Sequence, residues 1–307
     1  MLYFNSLKEA SNVIKALSAP MRLKIMEIIY EDGDKNLNDL ASMLNLTNSA
    51  ISLHIKKLQE AGLIEIHTMS GKRGSMKICK PVHDMITINL LPQYADKKSY
   101  VDEISVGCYS SCSVEPTCGL ATSNKIIGEF DDPRYFFFPE HFNAEVLWFT
   151  NGYVEYNFPN HLIAGQTLTK LEISFEISSE CPGFNEDYPS DIYFSINDIP
   201  LGFWISPGDF GERKGRFNPD WWPHFCNQYG RLKTLSINEE GTFIDSGVKI
   251  SDTTIYDLNI DYLSTISFKF SAPADTKNPG GFTLFGKGFG DYNQSIKVES
   301  FYDSSKE

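Results

Sequence analysis

Three groups of residues have the types and spacing for chemistry. Asn48, Ser49, Ser52 and His54 offer amide, hydroxyl and imidazole groups of the kind that bond base edges. Lys56 and Lys57 just beyond them, with Lys72 and Arg73 in Ser70-Gly71-Lys72-Arg73-Gly74-Ser75, add the cations that meet phosphates. Cys108, Cys112 and Cys118 form a second group. Three thiols this close suit zinc or an iron–sulfur cluster, with Cys79, Cys181, Cys226 or a histidine as fourth ligand. Their Cys-x3-Cys-x5-Cys spacing matches no paired Cys-x2-Cys pattern, so reduced cysteines packed as small apolar residues are the competing expectation. The third group is Asp220-Trp221-Trp222-Pro223-His224, where rings beside a carboxylate and an imidazole suit the C–H faces and hydroxyls of a sugar.

The first group needs a scaffold, and the surrounding pattern supplies one. Leu7, Ala10, Val13, Ile14 and Leu17 recur at helical spacing behind a cap at Asn5 or Ser6. Pro20 opens a second helix expected to bury Leu23, Met26 and Ile29 or Tyr30, and Asp32-Gly33-Asp34 ends it. Leu37, Leu40, Ala41 and Leu44 make a short helix. After a turn at Asn45-Leu46, Thr47 caps a helix that runs to Ala61 and stops at Gly62. Its buried stripe is Ala50, Ile51, Ile55, Leu58 and Ala61, which turns Asn48, Ser49, Ser52, Lys56 and Lys57 outward with His54 near the edge. Strands at Leu63–His67 and Met76–Cys79 then flank the basic turn, so a helix-turn-helix is followed by a wing.

Ala16-Leu17-Ser18-Ala19-Pro20-Met21-Arg22-Leu23-Lys24-Ile25 and Ile51-Ser52-Leu53-His54-Ile55-Lys56-Lys57-Leu58-Gln59-Glu60-Ala61-Gly62-Leu63-Ile64 resemble the ArsR/SmtB family of winged-helix repressors, over about the first 90 residues only. The resemblance implies a homodimer that binds a double-stranded DNA operator and changes its grip when an effector arrives. Metal-sensing members carry a Cys-x-Cys pair in the helix before the turn. Here Lys35-Asn36-Leu37-Asn38-Asp39-Leu40-Ala41 stands in that place, so the effector is expected to be read elsewhere.

The net charge of −13 over 307 residues argues against a nucleic-acid coat or a membrane-surface protein, but the average hides two unlike parts. Residues 1–90 hold 11 Lys/Arg against 9 Asp/Glu, whereas the remainder carries a net −15 and all but Tyr3, Phe4 and Tyr30 of the aromatic residues. The expected fold is α+β and multidomain. A winged helix-turn-helix over 1–90 and a loop-rich connector over 91–125 precede an antiparallel β-sandwich over 126–307, most simply a jelly roll, whose sheet-and-loop pattern resembles the galactose-binding jelly rolls attached to carbohydrate-active proteins.

In that sandwich Asn151-Gly152 is expected to turn a hairpin between Glu145–Phe149 and Tyr153–Tyr156. Further strands are expected at Leu171–Ile177, Ile192–Ile196, Leu201–Ile205, Leu232–Ile237, Ile266–Phe270, Phe282–Leu284 and Ile296–Val298. Pro207–His224 is expected to be a loop. Glu140, Asp209, Glu212 and Asp220 read as a solvated surface. A carbohydrate-active enzyme carrying an appended helix-turn-helix is the remaining alternative, but there is no Gly-x-Ser-x-Gly elbow or His-Glu-x-x-His helix, and the six histidines are scattered, so no catalysis is expected. Met1-Leu2-Tyr3-Phe4-Asn5 lacks the basic flank and apolar run of a signal peptide, and six cysteines are too few for a secreted disulfide scaffold. A cytoplasmic protein without membrane attachment is expected.

Overall fold

The computed structural model describes residues 2–4, 6–71, 74–83, 85–88, 98–245 and 247–304. The chain divides into two compact units, Met1–Asp96 and Lys97–Glu307. No helix among the described residues is long and apolar enough to cross a membrane.

In the first unit three of the four helices start where a side chain takes an orphan N–H. Ser6 Oγ accepts from the Glu9 amide ahead of α1 (Leu7–Leu17), Asn36 from Asp39 ahead of α3 (Leu37–Met43), and Thr47 from Ala50 ahead of α4 (Asn48–Glu60). α2 (Pro20–Asp32) uses Pro20 as its first residue instead. Arg22 closes the other end of α1 by donating to the carbonyls of Lys15 and Ala16, which gives the Ala-Pro-x-Arg run a structural role. Asn45, with φ of 52°, makes the turn between α3 and α4, and Gly62, with φ of 72°, stops α4.

The core gathers Ile25, Ile29, Leu40, Ile51, Ile55, Leu58 and Leu63. Leu23, expected inside, is 44% exposed, and Tyr30, the alternative to Ile29, is 38% exposed. α2 buries the expected Met26 and Ile29 together with Ile25. β3 (Ile64–Gly71) and β4 (Gly74–Pro81) pair in register from Ile64↔Pro81 to Gly71↔Gly74 and form the wing, with β2 (Lys35–Asn36) added along β4. β1 (Leu2–Phe4) and β5 (Ile86–Ile88), unforeseen in the sequence, pair in parallel.

The second unit is an antiparallel sandwich that begins earlier than 126. β6 (Lys98–Ile104) and β7 (Ser111–Ala121) occupy most of the expected connector. β6 is an edge strand on β17 (Ile296–Ser304), and β7 pairs with β8 (Val146–Phe158). Two arms of the ladder leave β8 along the edge opposite β7. From Gly152–Phe158 one runs through β15 (Ile266–Ala272) and β10 (Ser190–Ile196) to β11 (Ile199–Ser206). From Val146–Phe149 the other passes through β16 (Phe282–Phe285), β9 (Gln166–Ser178), β12 (Arg231–Asn238) and β13 (Gly241–Ile244) to β14 (Val248–Ser251). β11 comes back against β13 and β14, so the sandwich is nearly closed. Its core is rich in phenylalanine, with the Phe175 and Phe270 rings edge to face at 4.8 Å and Phe268 and Phe270 at 4.7 Å.

Two expectations fail here for identifiable reasons. Asn151-Gly152 makes no hairpin, since β8 runs straight through it. A Cβ at Gly152 would stand 1.9 Å from the Ser113 carbonyl oxygen of β7, and its φ is 131°. The glycine therefore permits close backbone approach within a sheet rather than a turn. The strand at Leu201–Ile205 was expected to be apolar on one face. A bulge opposite Phe194/Ser195 changes the phase there, so Leu201 is buried while Phe203 and Ile205 are 41% and 49% exposed.

Candidate functional site

α4 shows the surface its sequence implies. Asn48, Ser49, Ser52, Lys56 and Lys57 are exposed and His54 is half-buried, above a stripe of Ile51, Ile55 and Leu58 that anchors the helix to the core. The polar groups are held before any partner arrives. Asn48 Nδ2 donates to Asn38 Oδ1 on α3 at 2.9 Å, and Ser52 Oγ donates to the Asn48 carbonyl at 2.7 Å. Ser49 Oγ lies 3.1 Å from Thr47 Oγ1. Such tethering fixes side-chain directions, leaving acceptor lone pairs for base-edge donors and the second Asn48 amide hydrogen for a base or phosphate acceptor.

Leu53, absent from the expected set, stands 68% exposed on the same helix. An apolar group on this face matches a thymine methyl, and its position beside Ser52 was the available signal. Lys72 and Arg73, the expected wing cations, lie outside the described residues; the strands that carry them are in place.

Glu60 sits at the end of α4 as a counterweight. It takes an ion pair from Lys57 at 2.9 Å and a longer one from Lys56 at 3.9 Å, and the Lys57 hydrogen bond holds its carboxyl below the ordinary range. Both lysines must leave Glu60, at least in part, to meet a phosphate. Glu60→Gln is expected to tighten binding to duplex DNA of any sequence about two- to fivefold at low salt, the scale of a surface ion pair. Fluorescence anisotropy checks this, and weaker binding by the variant would contradict it.

In the sandwich the expected ligand residues separate. Trp222 is buried against Trp148 and Phe289, with ring centroids 5.8 and 4.9 Å away, and its indole N–H donates to the Asn227 carbonyl at 2.8 Å. Trp221 faces outward, 37% exposed, its N–H donating to the Ser123 carbonyl at 2.6 Å. Asp220 is exposed and paired with Lys214 at 2.6 Å, and His224 is exposed. Ser123 also lines a cleft of about 530 Å³ furnished with Thr122, Asn124, Asn143, Glu140 and the exposed ring of Phe142.

The three cysteines are not gathered. Cys112 and Cys118 lie on β7 opposite Val154 and Phe149, while Cys108 is exposed in the turn before that strand. Burial pushes the Cys112 thiol up to about 11 and the Cys118 thiol to about 12. Among the described residues no three His, Cys, Asp or Glu side chains converge as a metal site. Asp209, expected on a solvated surface, is wholly buried beside Cys181 and Glu180. The bridge of Asn185 to Asp209 draws this part of the Pro207–His224 loop into the sandwich, which loop composition did not reveal.

Residues 20–65 match the family model described as winged helix-turn-helix DNA-binding. Over 57 residues the chain is 37% identical to the transcriptional repressor SdpR of Bacillus subtilis, covering 19% of this chain and 62% of that protein, so it spans less than two thirds of the relative's length. Among solved structures, reduced HlyU from Vibrio cholerae is 25% identical, covering 24% of this chain and 74% of that one at a TM-score of 0.21. Dimeric latent PorU from Porphyromonas gingivalis is 9% identical, covering 68% of this chain and 13% of that one at a TM-score of 0.29. The capped α3–turn–α4 pair, the wing and the family match together give this chain an amino-terminal winged helix-turn-helix DNA-binding domain.

Proposed function

We propose that the chain is a transcriptional regulator of the repressor type. It works in the cytoplasm with the DNA, grips an operator as a homodimer, and carries a sandwich that senses a carbohydrate-type ligand and does not turn it over. The observation that carries the reading is the outward face of α4, where Asn48, Ser49, Ser52 and Leu53 stand exposed beside Lys56 and Lys57 with no acid before Glu60. Likeness to a repressor over the same segment supports it. Pairing is supported by Leu7 and Ile14, which α1 leaves 53% and 41% exposed. The sugar reading is supported by Trp221 standing next to the hydroxyl- and amide-lined cleft at Ser123 and Asn124.

Linkage sets the scale: a ligand shifts the DNA-competent population only by its differential affinity, and about 1–3 kcal/mol of coupling gives 5- to 150-fold control. Selection of duplexes from a random pool by the full chain tests all three parts. An inverted repeat with half-sites about one helical turn apart is the outcome expected of a two-fold pair. Sugars that release or strengthen the bound fraction identify the effector. A pool that stays unenriched at low salt contradicts the reading.

A further inference from the structure

A second cavity, of about 330 Å³, has a different chemistry from the polar cleft. Trp148, Phe130 and Phe225 form apolar walls, Phe130 and Phe225 being 45% and 65% exposed at the rim. Glu180 reaches the lining and is itself 5% exposed, and Asp131 adds a carboxyl nearer the surface. Among the described residues no Lys, Arg or His lines the cavity.

The polar floor is incomplete in charge. Glu180 accepts from Thr117 Oγ1 at 3.0 Å, Asn227 Nδ2 at 3.0 Å and Thr283 Oγ1 at 3.3 Å, all neutral donors. Behind it Asp209, wholly buried, takes the Cys181 amide on Oδ2 at 3.2 Å, while its Oδ1 has no hydrogen-bond partner among the described residues. Two carboxyls buried side by side without a cation are costly, and that cost is relieved by a proton or by a bound positive charge. Burial raises both, Asp209 to about 7, and the nearby Asp209 carboxyl pushes Glu180 further above its ordinary range. The other titratable groups acting on the pair add no positive charge: Asp131 is acidic, and burial pushes the thiols of Cys118, Cys181 and Cys226 to about 12.

We propose that this cavity binds a small organic ammonium ion with an apolar body, its charge on Glu180 backed by Asp209 and its body against the rings of Trp148, Phe130 and Phe225. The rings add cation–π attraction in a partly desolvated setting. Absence of a convergent set of metal-binding side chains among the described residues favours an organic cation over a metal ion. When the ammonium binds, Glu180 meets it as the carboxylate and the proton that its buried carboxyl held passes to solvent. This site is independent of the sugar reading and of DNA binding.

The test uses the full chain with benzylamine and phenethylamine against their neutral isosteres, benzyl alcohol and phenethyl alcohol, by calorimetry in buffers of different ionisation heat. The amines are expected to bind about tenfold or more tightly than the alcohols, as a charged contact requires, and to release protons at pH 7. Glu180→Gln removes both the preference and the proton release. Phe225→Ala, at an exposed rim position that folding does not need, weakens the amines several-fold. The proposal is overturned if neither amine binds at millimolar concentration, if the alcohols bind as well, or if Glu180→Gln leaves proton release unchanged. A sugar or metal ion that displaces the amines competitively at equal or lower concentration would reassign the cavity.

Discussion

Replacing Lys56 and Lys57 together with glutamate is expected to remove DNA binding at physiological salt. Each change turns an attractive phosphate contact into a repulsive one, and both residues sit exposed on the face of α4 that carries Ser52 and Leu53. In a two-fold pair the change counts twice. The affinity loss should exceed about a hundredfold, and the slope of log affinity against log salt should flatten by several ions. The double variant should melt within a degree or two of the parent, because neither side chain is in the core and their partner Glu60 is itself exposed. Anisotropy titrations at several salt concentrations read the result. Affinity and slope that match the parent would remove α4 from the interface.

Gly152→Val should have the largest effect on stability. The new Cβ would meet the Ser113 carbonyl oxygen at 1.9 Å, and a β-branched residue at φ of 131° is strained whatever the space. β7 and β8 must part at the centre of the ladder. A loss of about 4 kcal/mol or more is expected, enough to unfold the sandwich at moderate temperature. The winged-helix unit holds its own core around Ile25, Leu40 and Ile55, so a calorimetric transition from that unit should persist. A Gly152→Val variant that melts like the parent would contradict the close approach of these strands.

The amino-terminal unit was legible because its signals are local. A cap such as Thr47, a stop such as Gly62 and a stripe such as Ile51, Ile55 and Leu58 each act within one helix, where sequence spacing and spatial neighbourhood coincide. The sandwich was legible in class but less so in detail. Asn151-Gly152 carries the residues of a tight turn, yet what decides its conformation is the backbone of β7, more than thirty residues away in sequence. β6 and β7 read as connector in the sequence because polar and small residues dominate an edge strand and a strand interrupted by a bulge. The carboxyl pair of Glu180 and Asp209 escaped for the same reason. Nothing near either residue in sequence marks it as buried, and only the folding of the Asn185 and Asp209 segments onto one another encloses them. Adjacent tryptophans in an extended segment must point to different sides, but only packing against Trp148 and Phe289 makes Trp222 the one inside.

The most direct measurement is nuclease footprinting of the full chain on the DNA upstream of its own gene at low ionic strength, beside the Lys56/Lys57 glutamate variant. The account predicts a protected segment of about two helical turns for the parent and none for the variant. Unprotected DNA with the parent at every concentration, or equal protection by the variant, would contradict the claim that α4 grips a duplex.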